Sequence, residues 1–358
     1  MSPISSLSFP SSLIDDLRQP RGYLTLLVLL VASQLPRVIP SEYVHMLILT
    51  YIIGVAAIAW NIIGGYGGQF SLGNSVFLGI SAYTLGILMV QFEYGFVPAA
   101  IIAVGLSLAA ALIIGYPSFQ LTGHYFALAT ITIVEGMRFL VRYFNDFTRG
   151  AQGYSLVPAL TRGVTVLNLE RSTYYLIALG LFMFSFLVSV WVRRGKVGYY
   201  LMALRDDQLA AASLGINVAR FKMIGWLITV WLTALAGIMY AVYIQFLSPG
   251  FAFSITQSVL YAVIPIIGGI GTLAGPVIGT LLMVPLEHIT QTQFGGRYGA
   301  VTYVVYGIAL IMLIIYAPEG LRPKLKVVAD PIADALPTFG EPSSAVDPQS
   351  DESEPGSD

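Results

Sequence analysis

The chain has 358 residues, of which 56% are hydrophobic and 10% charged, with a formal net charge of −1. A soluble domain is roughly a quarter charged, so this composition excludes a surface that faces water throughout and leaves lipid as the solvent for most of the chain. The absence of cysteine removes disulfides, thiolate catalysis and cysteine-ligated metals together.

An α-helix needs about 20 apolar residues to cross a hydrocarbon core of ~30 Å. In chain order such runs fall at 23–39, 43–63, 76–92, 96–115, 122–141, 173–192, 223–247, 256–272, 276–293 and 301–317. The expectation is an all-α polytopic membrane protein with about ten transmembrane helices. The first run is short and interrupted by Pro36, and the eighth and ninth are broken by Gly and Pro, as re-entrant segments are. Asp15 and Asp16 precede the first run without a small-residue cleavage site, which predicts that this run is retained. Residues 1–22 read as an N-terminal segment, 23–322 as the transmembrane body and 323–358 as an acidic tail. Residues 327–358 hold eight acids and no Lys or Arg, which leaves the preceding 326 residues with 18 bases against 11 acids. The tail is rich in Pro and Ser and too poor in apolar surface to fold, so it reads as disordered.

Basic residues set the orientation. Arg18 and Arg21 precede the first run, and Arg322, Lys324 and Lys326 follow the last. Between the sixth and seventh runs a polar island, 193–222, carries Arg193, Arg194, Lys196, Arg205, Arg220 and Lys222. Six runs before the island and four after it put all three clusters, and both termini, on the cytoplasmic side of a plasma (inner) membrane. Arg149 and Arg162, in the loop from Arg142 to Arg171, then lie outside, against the trend.

Several motifs stand out. Gly269-Ile270-Gly271-Thr272-Leu273-Ala274 matches G-x-G-x-x-A, but it lies in a membrane-depth run and not in a soluble βαβ unit, so it is no dinucleotide site. Gly271, Gly275 and Gly279, spaced by four, read instead as a close helix-packing stripe, with Pro276 interrupting the helix. The stretch Gly64–Ser75 has five glycines in twelve residues. Irregular backbone at membrane depth survives only when buried in protein or facing a wet cavity. Two readings stay open: a path-lining segment in which Gln69, Ser71 and Asn74 offer hydrogen bonds, or a flexible interfacial loop. Thr130, at the end of Thr122–Thr130, is a further path candidate. Glu135 and Arg138 are spaced to pair on one helix, and Glu287 and His288 are ionisable groups in the ninth run. His45, His124 and His288 lie far apart in sequence, so a metal site among them would need a tertiary coincidence. There is no G-x-x-x-x-G-K-[ST], no H-E-x-x-H and no nucleophile elbow.

Within the island, Asp206 and Asp207 suit the first turn of a helix, Gln208–Leu214 are mostly good helix formers, and Gly215 is a natural stop. The result is a helix of about two turns, ~12 Å long. The alternative is an ordinary amphipathic loop on the bilayer surface.

These residues resemble the coupling loop of ATP-binding-cassette importer permeases. Ala210, Ala211 and Gly215 match the Glu-Ala-Ala-x-x-x-Gly pattern of that loop, with Leu209 at the glutamate position. Arg205 through Asn217 is similar to the form found in permeases for branched-chain amino acids (the LIV permeases), Arg-x-Asp-x-x-Ala-Ala-x-x-x-Gly-Ile-Asn. Gly67–Gly73, His124–Thr130, Gly268–Pro276 and Pro318–Leu321 resemble further blocks of the family in the same order, and the likeness covers about residues 43–322. The M-type subunit is the better match. One departure is Thr148-Arg149-Gly150-Ala151-Gln152-Gly153, where the family often has Thr-Gly-Gly-x-x-Gly. The resemblance implies a permease without enzymatic activity that binds no cofactor, ATP and Mg being held by partner subunits. It implies a sister permease, two cytoplasmic ATPases and an extracytoplasmic substrate-binding protein, with membrane lipid around the body and no nucleic acid. Arg205, Asp206, Asp207, Ala210, Ala211 and Gly215 would then couple the pore to ATP hydrolysis. Permeases for urea or for other amino acids and amides are the alternative within the superfamily. An ion-coupled secondary transporter is a more distant one.

Overall fold

In the computed structural model, residues 34–121, 123–161, 166, 168–294, 307, 308 and 311 are described. The segments 1–22 and 323–358, most of the first run and nearly all of the tenth lie outside them. Ten α-helices of six or more residues organise the described residues. They are α1 (Ser41–Trp60), α2 (Asn74–Val90), α3 (Phe96–Ser118), α4 (His124–Tyr143), α5 (Arg171–Arg194), α6 (Lys196–Asp206), α7 (Gln208–Ser213), α8 (Val218–Ile244), α9 (Ile255–Gly269) and α10 (Ala274–Phe294). Among the described residues six helical segments are long and apolar enough to cross a membrane, and α2 is a shorter apolar helix beside them. The protein is an all-α polytopic membrane protein.

The centre is built from α1, α2 and α8. α1 packs on α5, α8, α9 and α10, and α2 packs on α3 and α8. Burial of α1 and α2 runs round most of their circumference. α3 has a different pattern. Its buried positions are Ala99, Ala103, Ser107, Ala111, Gly115 and Ser118, a stripe of small residues, while Val97, Ile101, Leu106 and Ile113 point outward. In lipid the hydrophobic effect gives helices no reason to hide large apolar groups, and close backbone approach is what small residues permit. Aromatic packing closes the seam where α3, α4 and α8 converge. Phe77 and Trp226 meet edge to face at 5.3 Å, Phe119 stacks on Phe126 at 5.7 Å, and the Trp226 indole donates to the Ala111 carbonyl at 3.2 Å.

The loop between α4 and α5 folds against the end of α8. Tyr154–Ser155 (β1) pairs antiparallel with Phe246–Leu247 (β2), Tyr154 opposite Leu247. Arg149 lies over the Tyr154 ring at 5.5 Å. Burial pushes the Tyr154 hydroxyl up, against the pull of that guanidinium.

The helical hairpin of α9 and α10 revises two sequence expectations. Its break falls at Ile270–Leu273, before Pro276, which sits in the first turn of α10, where a missing N–H is tolerated. Pro265 and Pro285 lie inside α9 and α10 without ending them. Gly271 is in the turn and not on a stripe with Gly275 and Gly279. Only the last two serve the hairpin contact: a Cβ on Gly275 would fall on the Gly269 carbonyl, and one on Gly279 on the Ile264 carbonyl. Neither obstacle is a flexible side chain, so the hairpin must open to admit a methyl group. Gly279→Ala is expected to destabilise the protein by ~1–3 kcal/mol, the usual cost of overpacking. A lowered unfolding midpoint in detergent, followed by size-exclusion chromatography after heating, checks this.

Candidate functional site

The polar island folds as two short helices followed by the start of α8. α5 runs to Arg194, Gly195 turns the chain, and α6 ends at Asp206. This corrects the sequence reading of a single helix that begins at Asp206. Asp206 is the last residue of α6, and Asp207 is the N-cap of α7, its backbone extended at φ −155°, ψ 110°. One carboxylate oxygen of Asp207 accepts from the Leu209 and Ala210 amides at 2.8 and 2.9 Å, filling two of the donors a helix start leaves orphaned. The other end closes as a Schellman motif: Ile216 N–H donates to Ala211 and Gly215 N–H to Ala212. Gly215 has φ +84°, which the motif requires and side chains resist. Asn217 then caps α8 by accepting from Arg220 N–H at 3.0 Å.

α7 is thus fixed at both ends and free on one face. Ala211 is buried, while Leu209 and Leu214 are 81% and 84% exposed, and Ala210 and Ala212 are exposed between them. Beneath α7, the Lys222 ammonium donates to Gln208 Oε1 at 2.9 Å, tying the first residue of α7 to α8.

Arg205 points the other way, into the glycine-rich stretch. There α1 continues as a π-helical segment, Asn61–Tyr66, all of it buried. The wider π turn leaves backbone groups without the usual partners, and π segments often mark functional positions. Arg205 Nη1 donates to the Gly65 carbonyl at 3.0 Å, and its other edge faces the Asp206 carboxylate at 3.4 Å. Asn61 joins the same segment to the α9–α10 turn. Its amide donates to the Thr272 carbonyl at 2.9 Å and its carbonyl accepts from Gly271 N–H at 2.9 Å. A Cβ on Gly271 would crowd the Arg205 guanidinium at 2.7 Å and the Gly65 carbonyl at 3.1 Å, and the φ of +70° there already resists a side chain. Arg193 lies 5.9 Å over the Tyr66 ring, and the Tyr66 hydroxyl meets Ser189 Oγ at 3.0 Å. We call this set the clamp.

The four path candidates separate. Ser71, Asn74 and Thr130 are buried in a hydrogen-bonded knot. Ser71 Oγ donates to Asn74 Oδ1 at 3.3 Å, and Thr130 Oγ1 accepts from Leu72 N–H at 3.0 Å. Trp60 Nε1 caps the Ser71 carbonyl at 2.6 Å. Gln69 stands apart, lining a cavity of about 370 Å3 with Phe70, His124 and Ala127. Glu135 and Arg138 form an ion pair on α4. His45 and His288, distant in sequence, bring their rings to 6.2 Å. Among the described residues no group of three or more metal-type ligands assembles.

Residues 43–316 match the family model described as branched-chain amino acid transport system, permease component. The chain belongs to that family. The permease is 26% identical over 352 residues to the high-affinity branched-chain amino acid transport system permease protein LivM of Salmonella typhimurium, covering 90% of this chain and 81% of that protein. LivM of Escherichia coli is 27% identical over 87% of this chain and 78% of its own length. The LivH permease protein of Salmonella typhimurium matches less of it, at 23% identity over 54% of this chain and 64% of that protein. No solved structure gives a significant match.

Sequence reasoning missed Asn61, although a lone amide inside an apolar run was a signal, and it read Lys222 only as an orientation charge and not as the partner of Gln208. Removing the Arg205 guanidinium leaves the Gly65 carbonyl buried without its charged donor, a loss of ~1.5–3 kcal/mol. Arg205→Ala is therefore expected to speed amide exchange across Asn61–Gly73 and Gly269–Gly275 together, by about tenfold or more. Hydrogen–deuterium exchange with mass spectrometry reads both segments in one experiment.

Proposed function

We propose that this chain is the transmembrane permease subunit of an ATP-driven importer of branched-chain amino acids, and that α7 is where it receives mechanical work from an ATPase. The observation that carries the reading is the presentation of α7. Two large aliphatic side chains stand more than four-fifths exposed, Leu209 in the six-residue helix and Leu214 at its C-cap, and the helix is capped at both ends. A soluble surface that holds two leucines out on a rigid support suits insertion into an apolar groove on a partner. The Lys222–Gln208 and Arg205–Gly65 hydrogen bonds give such a contact a route into α8, the π segment of α1 and the α9–α10 turn.

The permease then needs a sister permease to complete the pore, cytoplasmic ATPases to bind and hydrolyse ATP with Mg, and an extracytoplasmic protein to deliver substrate. Similarity to LivM over 90% of the chain, against 54% for LivH, supports the M-type position beside an H-type sister. On this reading α7, the termini and the tail face the cytoplasm, the body spans the plasma membrane with about ten helices, and the chain itself holds no cofactor. Asp207 and Gly215 act as the two caps of the docking helix. Asp206 holds Arg205, and Ala210 supplies the smooth contact between the leucines.

Affinity purification of the tagged chain from native membranes is expected to recover two ATPase subunits and a second permease. Recovery of the chain alone, with leucine uptake driven by an ion gradient, would instead identify a secondary transporter. In the reconstituted complex, Leu209→Asp combined with Leu214→Asp is expected to cut ATP-driven leucine uptake by about a hundredfold, because burying two carboxylates in an apolar groove costs several kcal/mol. Gly215→Leu, strained at φ +84°, is expected to lower uptake as well. Normal uptake by both variants would sink the assignment of α7.

A further inference from the structure

A second cavity, of about 560 Å3, lies among α1, α8, α9 and α10. Its α1 wall runs from Met46 to Ile53, at least eight residues before the π segment, and so ~12 Å or more along the axis from the clamp. It therefore occupies the end of the bundle away from α7. Its volume falls in the range of small-molecule sites, ~300–1,000 Å3.

The lining has two chemistries. Leu49, Ile52, Ile53 and Val284 give an aliphatic wall, and Gln257, Glu287 and His288 supply polar groups. The Glu287 carboxylate accepts from the neutral Gln291 amide at 3.1 Å, and no ion pair within 4.0 Å involves it among the described residues. Gln257 Oε1 is buried without a hydrogen-bond partner. A carboxylate on a cavity wall that is paired only with a neutral amide is costly until a cation joins it. A primary ammonium meets that need at Glu287, because it carries three donors and one charge. The aliphatic wall beside them suits a branched hydrocarbon arm, and the His288 ring and the Ser254 hydroxyl offer donors for a ligand carboxylate.

We propose that this cavity is a binding site for a branched-chain amino acid, in which Glu287 recognises the α-ammonium group and the α1 wall takes the side chain. The inference rests on the importer reading above and adds a station inside this one subunit. Selectivity there follows from charge and shape: an aliphatic amine fits, whereas an aliphatic acid without the amine meets like charge at Glu287.

The cysteine-free chain permits a single reporter thiol. Leu49→Cys is placed in the complex in nanodiscs, without ATP or binding protein, and its alkylation by N-ethylmaleimide is timed. Leucine and 3-methylbutylamine are expected to slow alkylation about fivefold at concentrations a few times their Kd, since protection follows occupancy. 4-Methylpentanoate, which is leucine without the ammonium, is expected to have no effect. Glu287→Gln in the same background is expected to erase the leucine protection, and Glu287→Asp to keep it. Three results would each overturn the site: no protection by leucine, equal protection by 4-methylpentanoate, or full protection in Glu287→Gln. ATP-driven uptake by the wild-type complex, measured alongside, separates the two readings. Uptake without protection rejects the cavity alone, and absence of uptake rejects the importer.

Discussion

The hydrogen bond from Arg205 to the Gly65 carbonyl joins the polar island to the π segment of α1. A buried carbonyl in a π segment has no water to satisfy it, and the chain meets that need with a guanidinium from α6. Because α6 leads directly into α7, the partner that satisfies the backbone is also the root of the exposed helix. Asn61 extends the same logic to the α9–α10 turn with two bonds of 2.9 Å. Arg205, Asn61 and the glycines around them thus form one unit, in which the absence of side chains at Gly65 and Gly271 matters as much as the donors.

The rest of the fold supplies the surroundings in which so polar a junction can persist. Lipid lets α3 turn its isoleucines outward and its alanines inward, so helices approach closely and exclude water from the centre. The hairpin of α9 and α10 depends on the same closeness, with Gly275 and Gly279 set against carbonyls of α9. Such packing is tight along the helices and interrupted at their ends. The clamp and the cavity beside Glu287 occupy those interruptions, at opposite ends of the bundle.

Apolar runs made most of this architecture legible. The runs at 96–115, 122–141 and 173–192 fall within a few residues of α3, α4 and α5, because lipid demands a long apolar stretch whatever the tertiary context. Gly215 as a helix stop was equally readable, since its role is local. What escaped the sequence was long-range. Asp206 looked like a helix start because acids favour that place, but the competing cap at Asp207 won by reaching two amides. Ser71, Asn74 and Thr130 looked like a polar path, yet all three are buried, Ser71 bonding Asn74 and Thr130 taking the Leu72 amide 58 residues away in the chain. His45 and His288 meet through helix packing that no local pattern encodes.

On this account α6, α7, the π segment and the α9–α10 turn move as one body when ATP is consumed, and α1 bends at its π segment. Tyr199 on α6 and Ile270 in the turn are both exposed and accept spin labels on cysteines in a chain that has no others. Tyr43, at the far end of α1, is exposed as well. Pulsed electron–electron resonance on the reconstituted complex, with and without ATP, measures the distances among them. The account predicts a Tyr199–Ile270 distance that stays constant while the distances from both to Tyr43 change. A Tyr199–Ile270 distance that shifts with ATP would contradict it.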